Sequence, residues 1–531
     1  MDGRTFPVQS TASRRDADDS ARANSVAAAV AELAARKWLV TTAVLGTAAC
    51  MPLYFIAIAG RPLDPFFHIS LGLTFNSMLE NLLQWRFDVA PDAIRGEGFA
   101  HDGKVFAYFG VFPSLLRAVL LPFPSGLSID VTIPSIWLAS LIKVAAYAAA
   151  VVRVAVYLGV QGRIRLVAYC LLATVFLGGV QLPYLRPSIY GEVISWSGAI
   201  AAIFVLVVLT SVTSPIPGRR TPYLLLCLCV GLSVNTRIPM GVGLLLATAF
   251  LVVAEYGLAV RQQLRAKSAK DRRHSVAAWI SALRQVATPS LLGGILVLAI
   301  ALGVCAVVNY ERWGNPFTFV DLRYHLQNQF DPGRLALQQA HGVFNIARVW
   351  FGMIYYFFPI WIIPRSPDAL LFYPWQKHWV ELTELPIGSF FLSDPLPTFL
   401  ALAGLREAVR TGVPGAAMVR SAAVLCGLAV TCLLILSASP MTFRYRADFQ
   451  PFFNLASLLG WLVLGCQAQR DAAVGSILAG RRTGTVIVAL TLVGLACAPV
   501  MFLAAYKAPF GELGSNAPAE QIRSLMTVFR R

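Results

Sequence analysis

Asp64 stands a few residues beyond Trp38–Ala59, an apolar stretch long enough to cross a bilayer. A carboxylate at that depth, where headgroups meet water, can take a proton from an incoming hydroxyl once partial burial tunes its pKa. The competing reading, preferred on residue type alone, is that Leu63-Asp64-Pro65 opens a helix with an acidic cap. Glu192 closes the run Arg186-Pro187-Ser188-Ile189-Tyr190-Gly191-Glu192. It reads first as an ion pair with Arg186 and second as a carboxylate orienting an acceptor. Arg237, between Asn235 and Pro239, is expensive in an apolar setting unless it faces a polar cavity. It either neutralises a buried acid or, the preferred reading, marks a break between two short helices. Lys143 and Arg153 snorkel or pair across helices.

These groups sit in a chain that cannot build a water-facing surface. Of its 531 residues 57% are hydrophobic and only 13% charged, about half the roughly 25% typical of soluble domains. Mean hydropathy is +0.65. Apolar stretches near the roughly 20 residues needed to span a bilayer recur along the chain. A soluble enzyme, a DNA-binding protein and a secreted disulfide scaffold are thereby excluded, and an all-α polytopic membrane protein is expected. The net charge of +17 fits Lys and Arg retained in cytoplasmic loops, so no nucleic-acid partner is inferred. The nine cysteines fall mostly in apolar stretches without C-x-x-C spacing, which indicates neither disulfides nor a zinc site.

Hydropathy divides the chain into a tail, a membrane domain and a second tail. Residues 1–37 form a disordered cytoplasmic tail with a short surface helix at Ser25–Lys37, and 38–505 the membrane domain. Within that domain 60–130 is a long first external loop, and 309–392 an external segment with a re-entrant or interfacial helix at Val349–Ile363. Residues 506–531 are an external C-terminal tail. Further spans are read at Ile133–Leu158, Leu166–Tyr184, Ser197–Thr213, a broken pair in Pro222–Leu258, Leu291–Val308, Pro395–Leu405 extended upstream, Ala422–Leu436, Asn454–Cys466 and Thr485–Ala505. About eleven spans result, with thirteen as the upper bound. With the N-terminus inside and Val349–Ile363 not crossing, the inner segments hold most of the basic excess while the outer ones balance acid against base, as the positive-inside rule requires. The basic segment Arg261–Arg284 then serves as an orientation signal and a contact for anionic lipids. In the first loop, apolar residues at helical spacing predict an amphipathic helix at Phe66–Leu83 lying in the membrane plane, and a second interfacial helix at Phe109–Leu121.

An acid after the first span, a planar helix, Trp85-Arg86-Phe87-Asp88 and then Asp102-Gly103-Lys104-x-Phe106-x-Tyr108-x-Gly110-x-x-Pro113-x-Leu115-Leu116 together resemble the bacterial GT-C membrane glycosyltransferases. That superfamily includes the protein O-mannosyltransferases and the lipid A aminoarabinose transferases, and the nearer likeness is to its uncharacterised bacterial members. Three later elements extend the resemblance over most of the chain: 186–192, Asn309-Tyr310-Glu311-Arg312-Trp313-Gly314-Asn315-Pro316, and Arg444-Tyr445-Arg446-Ala447-Asp448. The resemblance implies a GT-C-like fold in a bacterial inner membrane, with the active site facing the periplasm. It implies a polyprenyl-phosphate-linked sugar as donor, a glycan, lipid or protein as acceptor, and membrane lipids as the remaining partners.

Asp64 falls on the family's catalytic acid. The second acid of its Asp-Glu pair is Pro65 here, which disfavours a divalent metal, although His68, Asp88 and Asp102 are conceivable ligands; no cofactor is expected. Arg444 and Arg446 are the first choice for holding the donor phosphate, with Lys104 and Arg186 behind them, because a guanidinium fork matches phosphate oxygens. Their alternative is ordinary loop charge. His68, Glu192 and Asp448 are candidates near the acceptor. The implied reaction is an inverting single displacement. A rival reading, a transporter or flippase, predicts charges in mid-span and paired broken helices, whereas the acids here gather outside. A non-catalytic assembly subunit would not need the ordered motifs.

Overall fold

The computed structural model describes residues 30–50, 66–178, 187–214, 221–266, 275–358, 364–366, 369–370, 378–380, 382–383, 389–411, 415–470 and 481–507. Asp64, Arg186 and both expected tails beyond these limits lie outside the described residues. In chain order the principal helices are α1 (30–50), α2 (Thr74–Leu82), α3 (Thr132–Tyr157), α4 (Gly162–Leu177), α5 (Ile189–Val212), α6 (Tyr223–Val234), α7 (Ile238–Ala266), α8 (Ser275–Val286) and α9 (Pro289–Trp313). They continue with α10 (Pro332–His341), α11 (Val349–Phe357), α12 (Pro395–Thr411), α13 (Ala416–Ser437), α14 (Gln450–Arg470) and α15 (Arg481–Lys507). Three two-stranded pieces complete the described sheet, so the fold is all-α.

Among the described residues, α3, α5, α7, α9, α13 and α14 with the turn before it are long and apolar enough to cross a bilayer. Helices α1, α4, α6, α12 and α15 overlap the remaining segments read as spans. On α9, Leu292, Leu296 and Ile300 are each more than half exposed, a surface compatible with lipid tails and costly in water. Helix α3 packs on α5, α7 on α13, and α12 on α14. Small residues bring the last pair together: a Cβ on Gly404 would stand 2.1 Å from the Gly460 Cα.

Several sequence expectations are corrected in detail. The helix at 30–50 runs unbroken through the junction between tail and first span, and the start of the expected Ser25–Lys37 helix lies outside the described residues. In the first loop, Leu71 takes a left-handed conformation (φ 69°), so only Thr74–Leu82 of the expected Phe66–Leu83 helix forms. That helix turns its apolar side into the protein. Its Asn76 is buried and donates to the Leu127 and Ile129 carbonyls, while Phe75, Met78 and Leu79 pack into the protein. Phe109–Leu121 yields a short helix, Phe112–Leu115, followed by a 3-10 turn, Leu116–Leu120. The Ser188 hydroxyl accepts from Gly191 N at 3.1 Å and caps α5. That cap starts the helix well before Ser197 and places Tyr190 and Glu192 on its first turn. At nine residues, α11 is too short to cross a bilayer.

Candidate functional site

Segments remote in sequence meet around a cavity of about 1380 Å³, larger than the roughly 300–1,000 Å³ of a typical small-molecule site. They come from the first loop (Glu97, Phe99, Tyr108), the start of α5 (Tyr190), the α6–α7 break (Arg237), the 317–344 segment, and the end of α13 with the turn after it (Arg444, Tyr445). Phe317, Leu337, Phe344 and Leu434 supply apolar wall. The polar groups gather in two neighbouring clusters.

Glu97 anchors the first cluster. It precedes a hairpin of β1 (Phe99–His101) and β2 (Lys104–Phe106), turned by Asp102 (φ 49°) and Gly103 (φ 72°). Two successive positive φ values make this a type I′ turn, for which Asp-Gly is a preferred pair. The far strand of chain is then sewn onto β1: Phe99 bridges His325, and Leu326 N donates to the Gly98 carbonyl at 3.0 Å. That docking carries His325 and Gln327 to the Glu97 carboxylate. The Tyr190 hydroxyl and Gln327 Nε2 (2.7 Å) donate to it, and His325 Nε2 lies 3.8 Å away. Burial pushes the Glu97 pKa up, but the His325, Tyr190 and Gln327 groups outweigh it and hold the acid below its ordinary range. The Glu97 side chain remains 25% exposed, and it lines the cavity.

Arginine dominates the second cluster. The carbonyl of Asn235, in the break between α6 and α7, accepts from Phe112 N at 2.8 Å. Gly110 lies so close that a Cβ there would stand 2.1 Å from the same oxygen. The break therefore docks the first loop and releases Arg237 toward the cavity. Arg237 forks onto Asp448 (Nη2 to Oδ2, 2.6 Å; Nε to Oδ1, 2.9 Å) and stacks on Tyr445, 4.8 Å from the ring centroid. Arg444 lies 4.4 Å from the centroid of the Tyr190 ring. Tyr190 thus carries a guanidinium on its face and a carboxylate on its hydroxyl.

The sequence candidates fare unequally. Arg444 lines the cavity, and Asp448 sits behind it, holding Arg237. Arg446 does not reach the cavity. It is buried, its Nη2 hydrogen-bonded to the Ser393 hydroxyl and its guanidinium over Phe390. The reason is the 3-10 form of Phe443–Phe449: with three residues per turn, positions 444 and 446 point in different directions. Lys104 stands exposed in the hairpin beside its turn, opposite His101 and away from the cavity lining. His68 is largely exposed with Nδ1 3.4 Å from Asp130, also away from the lining. Glu192 is fully buried and forks with Arg117 (Nη2 to Oε2, 2.8 Å), while Ser135 donates to the same carboxylate. Its partner among the described residues is Arg117, and it is closed to ligands; Arg186, the expected partner, lies outside the described residues. Among the described residues no cluster of three His, Cys, Asp or Glu side chains could hold a metal; His68, Asp88 and Asp102 form no such group.

Glu97, His325 and Gln327 escape a reading of the sequence. Arg237 carries a signal, a charge at a helix break. Tyr190 lies inside a motif of the resemblance without a role there. Glu97 and the 325–334 stretch carry no local signal, because what distinguishes them is the pairing between them.

No protein-family model matches the chain, and no curated protein does. Solved structures of the Archaeoglobus fulgidus oligosaccharyltransferase are similar to it. The archaeal oligosaccharyltransferase AglB in complex with an inhibitory peptide and a dolichol-phosphate is 12% identical over 88% of this chain and 55% of that one, with a TM-score of 0.40. The apo form is 14% identical over 92% and 56%, with a TM-score of 0.39. A form tethered to an acceptor peptide is 12% identical over 90% and 56%, with a TM-score of 0.42. This chain spans little more than half the length of those proteins. At this degree of likeness they assign no substrate or activity.

Proposed function

We propose that this protein is a membrane glycosyltransferase of the GT-C type. It moves a sugar from a polyprenyl-phosphate donor to an acceptor hydroxyl at the outer face of a bacterial inner membrane. The observation that carries this reading is one cavity, partly apolar, in which guanidinium groups and an ionised carboxylate share a wall. A lipid-linked phosphosugar needs such a combination: apolar surface for the isoprenoid, fixed cations for the phosphate, and hydrogen-bond acceptors for hydroxyls. Every segment around the cavity also belongs to the loops and span ends that charge asymmetry assigns to the outer side.

In the proposed reaction the acceptor oxygen attacks the anomeric carbon, and the bond from that carbon to the phosphate oxygen breaks with its electron pair left on the phosphate. The acceptor proton passes to Asp64, and inversion follows from the single displacement. Arg444, with Arg237 beside it, stabilises the charge gathering on the leaving phosphate. The test is D64N in the full chain, assayed in membranes supplied with polyprenyl-phosphate sugars. Losing a general base is expected to cut transfer by roughly 10²- to 10⁴-fold while the thermal melt stays unchanged. Undiminished product would overturn the assignment of the base. Absence of any sugar transfer by the wild-type chain, with lipid or solute movement in its place, would favour a transporter.

A further inference from the structure

We propose that Glu97 is the sugar anchor of the cavity, accepting a hydrogen bond from a hydroxyl of the sugar unit carried on the donor, and so sets which sugar is taken. The inference rests on the donor reading above and adds a residue to which the sequence motifs give no role.

Three observations converge on Glu97. The first is spare capacity. Two hydrogen bonds, from Tyr190 and Gln327, and the imidazole at 3.8 Å leave acceptor sites vacant on a carboxylate that offers about four. The second is access, since this side chain lines the cavity and is 25% exposed, unlike Glu192, which is sealed. The third is spacing. Arg444 and Glu97 are both fixed to Tyr190, one on the ring face and one on the hydroxyl, so cation and carboxylate are separated by a single tyrosine side chain. A phosphate held at Arg444 is repelled by the carboxylate, which orients a phosphosugar with its phosphate toward the arginines and its hydroxyls toward Glu97.

The surrounding donors also fix the kind of role. They hold the carboxyl below its ordinary pKa range, which makes it a poor proton acceptor and a firm hydrogen-bond acceptor. Glu97 therefore selects and positions. The proton goes elsewhere.

The test compares binding of two probes by the full chain in nanodiscs: polyprenyl phosphate alone, and a panel of polyprenyl-phosphate monosaccharides including a hexose, a pentose and an N-acetylhexosamine. For wild type, at least one sugar should strengthen binding over bare polyprenyl phosphate. In E97Q that increment is expected to fall by roughly 10- to 100-fold, the value of a hydrogen bond to a charged group, while affinity for the bare probe holds or rises, because the carboxylate that repels its phosphate is gone. Should E97Q fail to accumulate, E97D keeps the charge but withdraws it by one methylene, and the same selective loss is expected. Equal weakening of both probes, or an intact sugar increment, would overturn the anchor. A wild-type chain that binds neither probe would instead overturn the donor reading on which the anchor rests.

Discussion

Two arginine–carboxylate pairs hold together segments around the cavity, and they are built to opposite purposes. Arg117–Glu192 ties the first loop to α5. Both side chains are essentially inaccessible, and Asn76 and Ser135 take up the remaining hydrogen-bonding capacity, with Trp196 donating to Ser135 in turn. Arg237–Asp448 buries only its acid. The arginine stays 14% exposed, stacks on Tyr445 and lines the cavity. One pair spends its charges on each other and staples the site together, while the other uses a buried acid to hold a cation against a ligand. Burial of the guanidinium, not the presence of a pair, separates the two roles.

The largest expected effect comes from breaking the staple. R117L leaves Glu192 charged in an apolar interior, which should cost about 3–5 kcal/mol. Thermal or denaturant melts of the full chain in detergent would register it. The double variant R117L/E192L should recover most of that loss, because no orphaned charge remains. If the single variant melts like wild type, the pair is not the staple described here.

Next in size is a contrast between neighbours. R444A is expected to weaken polyprenyl phosphate binding by roughly 10- to 100-fold with little change in the melt. R446M should lower the melt, by removing the partner of Ser393, and leave polyprenyl phosphate binding unchanged. An exchange of these two outcomes would show that the turn at Phe443–Phe449 presents the other arginine.

The smallest expected effect is a pH dependence. The Glu97 pKa is depressed in the folded protein. Its charge therefore contributes stability that is complete above the ordinary glutamate range and is lost as the pH falls through the folded value. Acidification below pH 4.5 should weaken the contact between the first loop and residues 325–327, read by hydrogen exchange at Leu326 N. E97Q should flatten that acid limb. An unchanged limb in E97Q would assign it to other acids.

Much of the architecture is legible in local sequence. The Asp102-Gly103 pair announces its hairpin, and Asn235–Pro239 announces the break between α6 and α7, because turn chemistry acts over a few residues. The start of α5 is hidden from hydropathy because Ile189–Trp196 is less apolar than Ser197–Thr213, and only the Ser188 cap reveals it. The preferred readings of Glu192 and Arg237 miss their partners for a related reason. A charge near a span end signals a partner, and the identity of that partner is not local.

By itself, then, the sequence determined the solvent this protein lives in, its helical build and the approximate place of its spans, since transfer free energy sums over adjacent residues. Only the tertiary structure decided that Glu97 meets Gln327, 230 positions away, that Arg237 meets Asp448, 211 positions away, and that Arg444 rather than Arg446 faces the cavity. Those outcomes depend on packing register and on the phase of a single turn, to which hydropathy is blind.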